Sequence, residues 1–208
     1  MKHVLGSISV LLAWTGVALA DGYPSGPGPC DTVDVCEAAC TAGKMTSCTW
    51  GGFLVLQSPF DAQARARAKV MFEAACTKGD TESCWQTARL EESLSSHGSS
   101  EPDPDRATKL ARAFDRACKK QHVRACLSEG YWVTEGGDAK AKAAGLALYK
   151  RAASIASQRC ERKKDAAICE FISSFYEYGD YLPKDAKKAE KYRQRACKLA
   201  TNKPCDPR

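Results

Sequence analysis

Histidine is scarce in this chain, with three in 208 residues. His3 stands at the extreme N-terminus. That leaves His97 and His122, too few for a zinc hydrolase that binds its metal through several imidazoles. One lies in a polar insert and the other in a turn, and both are expected to be solvated rather than to act as ligands. No serine is followed by lysine three positions on, and K-T-G is missing, so the signature of serine β-lactamases is absent. Thr77-Lys78-Gly79 has the wrong order and falls in a turn. There is no G-x-S-x-G and no glycine-rich phosphate loop. C-x-x-C is also missing, which removes the usual thiol-redox device, haem attachment and paired zinc spacings. Cys36 and Cys40 form a single i, i+4 pair, short of a metal site by itself. No cofactor is expected. Runs of β-branched residues are nearly absent, and beyond the N-terminus nothing is apolar enough to span a bilayer. The net charge of +6 is mild and does not by itself imply nucleic acid.

What the chain has in quantity is cysteine, 12 in all. An even and high number points to an oxidising compartment. Residues 1–20 read as a signal peptide: Lys2 and His3 precede an uncharged apolar run that ends in Ala18-Leu19-Ala20, an A-x-A cleavage site. Asp21, not cysteine, follows, so no lipid attachment is indicated there. Cleavage would lower the net charge by the one lysine, Lys2. Residues 21–29, rich in glycine and proline, read as a flexible leader. Residues 30–208 read as one repeat domain.

Self-comparison divides that domain into about five units. "CEAACTAGKMTSC", "FEAACTKGDTESC" and "FDRACKKQHVRAC" are one phrase written three times. Each places seven residues between two cysteines, pairing Cys40 with Cys48, Cys76 with Cys84 and Cys118 with Cys126. A looser copy has Cys160 and Cys169, and a last copy Cys197 and Cys205. The first cysteines recur every 36 to 42 residues, a period that means stacked helical hairpins. First helices are expected near 31–41, 61–77, 104–120, 138–161 and 184–200, and second helices near 46–56, 80–94, 122–135 and 165–178. Asp80, Asp138 and Asp165 are expected N-caps, and residues 95–105 a solvated loop. A small residue stands four positions after the second cysteine (Gly52, Ala88, Gly130, Ser173), where two helix backbones can approach. In the fourth unit Ala153 occupies the expected cysteine position, and about two extra helical turns carry the chain to Cys160.

The cysteine spacing itself requires a break. On one continuous helix, Cys118 and Cys126 would lie about 12 Å apart, beyond the roughly 4.4–6.8 Å of a disulfide. Broken at "KKQH", the two fall in facing end turns of a hairpin and can staple its closed end. Cys30 and Cys36 remain, and the simplest pairing joins them. Trp50, Trp85 and Trp132, all in second helices, are expected to pack rather than to bind a ligand.

The stretch "FYEYGDYLPKDAKKAEKYRQRAC", Phe175 to Cys197, resembles the Sel-one-like repeat, and the paired cysteines resemble the cysteine-rich exported branch of that family. The resemblance runs from Cys36 onward. It implies an all-α, tetratricopeptide-like α/α superhelical solenoid of disulfide-stapled hairpins, exported to the periplasm or beyond by a Gram-negative bacterium and binding a protein or peptide. With the catalytic motifs missing, a non-enzymatic scaffold is expected, and a monomer. The resemblance also carries an alternative, weak β-lactam binding or hydrolysis. On the last helix Lys184, Lys188, Lys191, Arg195 and Lys198 share one face, opposite Ala189, Tyr192, Ala196 and Leu199. The cations read either as a polar cap on the array's end or as the contact for an anionic partner.

Overall fold

The computed structural model describes residues 28–57, 62–97, 105–135 and 137–200. Among the described residues there are nine helices and no strand: α1 (Val33–Thr41), α2 (Met45–Leu56), α3 (Ala62–Thr77), α4 (Thr81–His97), α5 (Arg106–Lys119), α6 (Val123–Thr134), α7 (Ala139–Arg162), α8 (Ala166–Tyr178) and α9 (Ala186–Leu199). Each helix packs on the next in the chain. The result is the all-α array of stapled hairpins. The signal segment 1–20 and most of the 21–29 leader lie outside the described residues. The leader's end does not trail free, because Gly28 packs against the Trp50 indole so closely that a Cβ there would collide with the ring.

The hairpin turns repeat one device. In the first three units the second residue after the helix takes a left-handed backbone: Gly43 (φ 87°), Gly79 (φ 113°) and Gln121 (φ 66°). The N–H that follows it, of Lys44, Asp80 or His122, reaches back to the carbonyl of Ala39, Ala75 or Ala117 at 3.0–3.1 Å. This closes a Schellman-type end and reverses the chain. The cysteines then face each other, with Cα atoms 4.6 Å apart in Cys40–Cys48, Cys76–Cys84 and Cys118–Cys126. Cys160–Cys169, one residue longer, spans 4.9 Å, and Cys30–Cys36 spans 5.3 Å. Cys197 is disulfide-bonded, and Cys205 lies outside the described residues.

Capping follows the same columns. Asp80, Asp138 and Asp165 accept the N–H of Ser83, Ala141 and Ile168 at 2.7, 2.6 and 3.1 Å. Asp185 does so for Lys188 at 3.0 Å, which starts α9 two residues later than position 184. One boundary differs more. α4 continues through Ser95–His97, expected to be loop, because no breaker precedes Gly98 and Ser95 Oγ returns a hydrogen bond to the Glu92 carbonyl.

The small-residue column marks where the second helix of one unit meets the first helix of the next. A Cβ on Gly52 would lie 2.7 Å from the Phe72 ring. One on Gly130 would lie 3.2 Å from the Gly145 carbonyl oxygen. Ser173 Oγ donates to the Ala189 carbonyl at 2.8 Å. The core is carried by these joints and by the buried disulfides. One cluster centres on Cys36, Phe53, Met71 and Phe72, and a longer one runs from Cys76 to Ala196.

Candidate functional site: a basic cleft at the stapled ends

In units two and three, the first helix stops at its cysteine. In unit four, Ala153 is buried where that cysteine would be, and α7 continues two turns to Cys160. These extra turns form a wall. Ile155, Gln158, Arg159, Arg162 and Lys163 face a cleft of about 560 Å³, whose other sides are Thr81 and Glu82 at the start of α4 and Lys120, Gln121 and His122 in the third turn. The cleft is thus assembled from three units at their closed, disulfide-held ends.

His122 is the strut beneath it. Its expected solvation is corrected by the structure, since only 3% of the residue is exposed. Nδ1 accepts the Ala125 N–H at 3.2 Å, capping α6, and Nε2 lies 3.1 Å from Glu82 Oε2. With Nδ1 engaged as acceptor, Nε2 carries the proton and donates to the carboxylate. The ring stacks on Trp85 with centroids 5.0 Å apart. The signal was in the sequence. His122 stands four positions before the second cysteine, the column that holds Asp80 and Asp165, so the repeat assigns it a capping role.

The rim is cationic, with Lys120, Arg159, Arg162 and Lys163 against a single acid, Glu82. Arg159 pairs with Asp165 at 3.3 Å, and Glu82 holds Gln86 Nε2 at 2.7 Å besides His122. Lys120 reaches the Cys76 carbonyl at 3.5 Å. Among the described residues, Lys120, Arg162 and Lys163 have no carboxylate partner. Also among the described residues, no cluster of three His, Cys, Asp or Glu side chains is arranged to hold a metal.

The cations of α9 are placed elsewhere, and several are engaged within the chain. Lys191 pairs with Glu161 at 3.2 Å and Lys188 with Asp185 at 3.2 Å. Arg195 donates to the Cys160 and Glu161 carbonyls at 3.4 and 2.9 Å, satisfying the C-terminus of α7. Lys184 precedes the helix and lies over Gly179. Lys198 is exposed in the last turn. Opposite them, Ala189, Tyr192 and Ala196 are buried and Leu199 packs on the core. The tryptophans pack: Trp85 is buried, and Trp132 Nε1 donates to Glu92 at 2.9 Å beneath the Arg106 guanidinium.

One titratable group lies apart from the cleft. Burial of Glu129 on α6 pushes its carboxyl up to about 7, reinforced by the negative charge of Asp115 and opposed by Arg151 and Lys119. The unfolded chain ionises this group near the ordinary 4.5, while the folded chain holds its proton to higher pH. Stability therefore falls as pH rises through that interval, and the whole penalty is present above it. Glu129→Gln is expected to stabilise by about 1–2 kcal/mol at pH 8, the full shift being discounted because the site is only half buried. The gain should vanish at pH 4. Urea unfolding of both proteins at pH 4, 6 and 8 checks this, and a difference independent of pH would refute it.

The structure is similar to that of a Sel1 repeat protein from Oxalobacter formigenes, at 16% sequence identity over 82% of this chain and 84% of that one, with a TM-score of 0.39. No protein-family model and no curated protein matches the sequence. The class is carried by the chain's own geometry: an all-helical repeat array whose hairpins are closed by disulfides. Among the described residues no helix is long and apolar enough to cross a membrane.

Proposed function

We propose that the protein is an exported repeat scaffold whose residues 30–208 form one binding domain, with residues 1–20 removed as a signal. Its cleft at the stapled ends receives a segment of a peptide or protein partner. The observation that carries this reading is the wall made by the two extra turns of α7, which converts three hairpin ends into one concavity of a size typical of ligand sites, ~300–1,000 Å³. The turn chemistry supports it. Units one and two use glycine at the left-handed turn position, whereas unit three uses Gln121 at φ 66° and unit four Lys164 at φ 54°. A non-glycine residue there costs about 1 kcal/mol or more. In unit three this residue sets an amide side chain on the cleft's edge, where amides and the Thr81 hydroxyl suit a peptide backbone. The staples hold all three turns rigid, which lowers the ordering cost of binding. Disulfide pairing throughout the described residues fits an oxidising compartment.

The hydrolase alternative gains nothing from the cleft. Both ring nitrogens of His122 are engaged, and the imidazole serves as cap and strut. The test is capture from the host's envelope extract. Disulfide-intact protein is expected to retain a partner that Gln158→Trp, which fills the cleft from an exposed position, does not retain, and that reduced, alkylated protein also loses. Equal capture by the Gln158→Trp protein would remove the cleft from the account.

A further inference from the structure

The cleft's charge specifies more than its shape does. Resting on the peptide-binding reading, we infer that the segment it receives is acidic, with carboxylates seated against Lys120, Arg162 and Lys163. These three cations enter the cleft from two walls, the third turn and the end of α7. None has a carboxylate partner among the described residues, although Arg159 beside them does. Some cations elsewhere are held in pairs, as Arg67 is with Asp34 and Glu37, Lys191 with Glu161 and Lys188 with Asp185. Three cations without a carboxylate partner thus converge on this cleft. The single acid there, Glu82, has both oxygens occupied by Gln86 and His122, so it is held back from the cations. Like charges converging on a cleft raise the local concentration of an oppositely charged ligand and speed its capture. Arg162 adds a planar fork that matches a carboxylate in two-point contact. Ile155, mostly buried at the base, gives an apolar contact between the charges. The lining thus suits a short segment that alternates Asp or Glu with an aliphatic residue.

The probe is a library of random dodecapeptides displayed on phage, selected on the disulfide-intact protein. Enriched peptides are expected to be rich in Asp and Glu. A synthetic copy of one should bind with an affinity that falls at least ten-fold when its acids become Gln, and that weakens as salt rises. Arg162→Glu with Lys163→Glu should reduce binding at least ten-fold. Lys140→Glu with Lys142→Glu makes the same change in net charge at the far end of α7 and should leave binding nearly intact. If the two double variants lose binding equally, net charge rather than the cleft is responsible and the inference fails. If neutral peptides are enriched and Gln158→Trp blocks them, the acidic assignment falls while the peptide-binding cleft stands. If no peptide is enriched, both fall. If polygalacturonate binds through Arg162 and Lys163 more tightly than any selected peptide, the occupant is a polyanionic saccharide and the peptide assignment is overturned.

Discussion

Replacing Cys118 and Cys126 together with alanine is expected to destabilise the protein by about 3–4 kcal/mol. Entropic closure of so short a loop contributes roughly 2.5 kcal/mol. The rest comes from the space left by two sulfur atoms that are fully buried in the larger core cluster. A loss of this size is a large part of the ~5–15 kcal/mol that holds a typical domain. The corresponding change at Cys40 and Cys48 should cost less, because Cys40 is only partly buried and its hairpin lies at the array's N-terminal end. Urea unfolding checks both through the midpoint at unchanged slope. An unaltered midpoint for the Cys118 and Cys126 variant would mean that the Schellman turn alone closes the hairpin. The consequence should also reach the cleft. The turn residues Lys120, Gln121 and His122 lie between the two cysteines, and Gln121 keeps its left-handed backbone only while its surroundings insist on it. Binding of a selected peptide should therefore weaken in this variant at temperatures where it is still folded.

Some of the architecture could be read from the residues because two independent demands coincided. Seven residues between cysteines admit a disulfide only if the helix breaks, and "AGK", "KGD" and "KQH" stand where the break must be. The recurring small residue after each second cysteine was equally plain, since backbone contact between helices leaves room for little else. A matching column is less plain in the sequence. Eight positions before the expected first cysteine stand Ala68, Gly145 and Ala189, with Leu110 as the exception, and Gly145 and Ala189 receive the preceding unit's Gly130 and Ser173. The cleft was not legible. The two extra turns of α7 could be counted, but what they would face depended on how turns 40 and 80 residues earlier in the chain stack beside them. His122 departs from the expected solvation for a related reason. A polar turn is normally wet, and only the presence of Trp85 and Glu82 from the neighbouring unit explains why this imidazole is covered.

The joint between α6 and α7 carries the second large expected effect. A Cβ at Gly145 would lie 2.8 Å from the Gly130 carbonyl oxygen, and backbone cannot swing aside as a side-chain end can. Gly145→Ala should therefore push the two helices apart. In an unobstructed helix that substitution would stabilise by about 1 kcal/mol through propensity. Here overpacking, typically ~1–3 kcal/mol, opposes it, so a net loss of about 1–2 kcal/mol is expected, and Gly145→Leu should lose more. The displacement matters beyond stability. Arg162 lies 17 residues further along α7, about 25 Å at the helical rise, so a small tilt at the joint becomes a larger shift of the cleft wall. Peptide binding should fall several-fold in Gly145→Ala although its far-ultraviolet circular dichroism is unchanged. Leu146→Ala, at an exposed neighbour on the same helix, should leave both binding and structure as they are. If Gly145→Ala instead raises the melting temperature, the helices have room at this crossing and the close approach is not what sets the angle of α7. If it lowers stability but leaves binding untouched, the cleft wall is positioned by the Cys160–Cys169 staple alone, and the joint has no part in recognition.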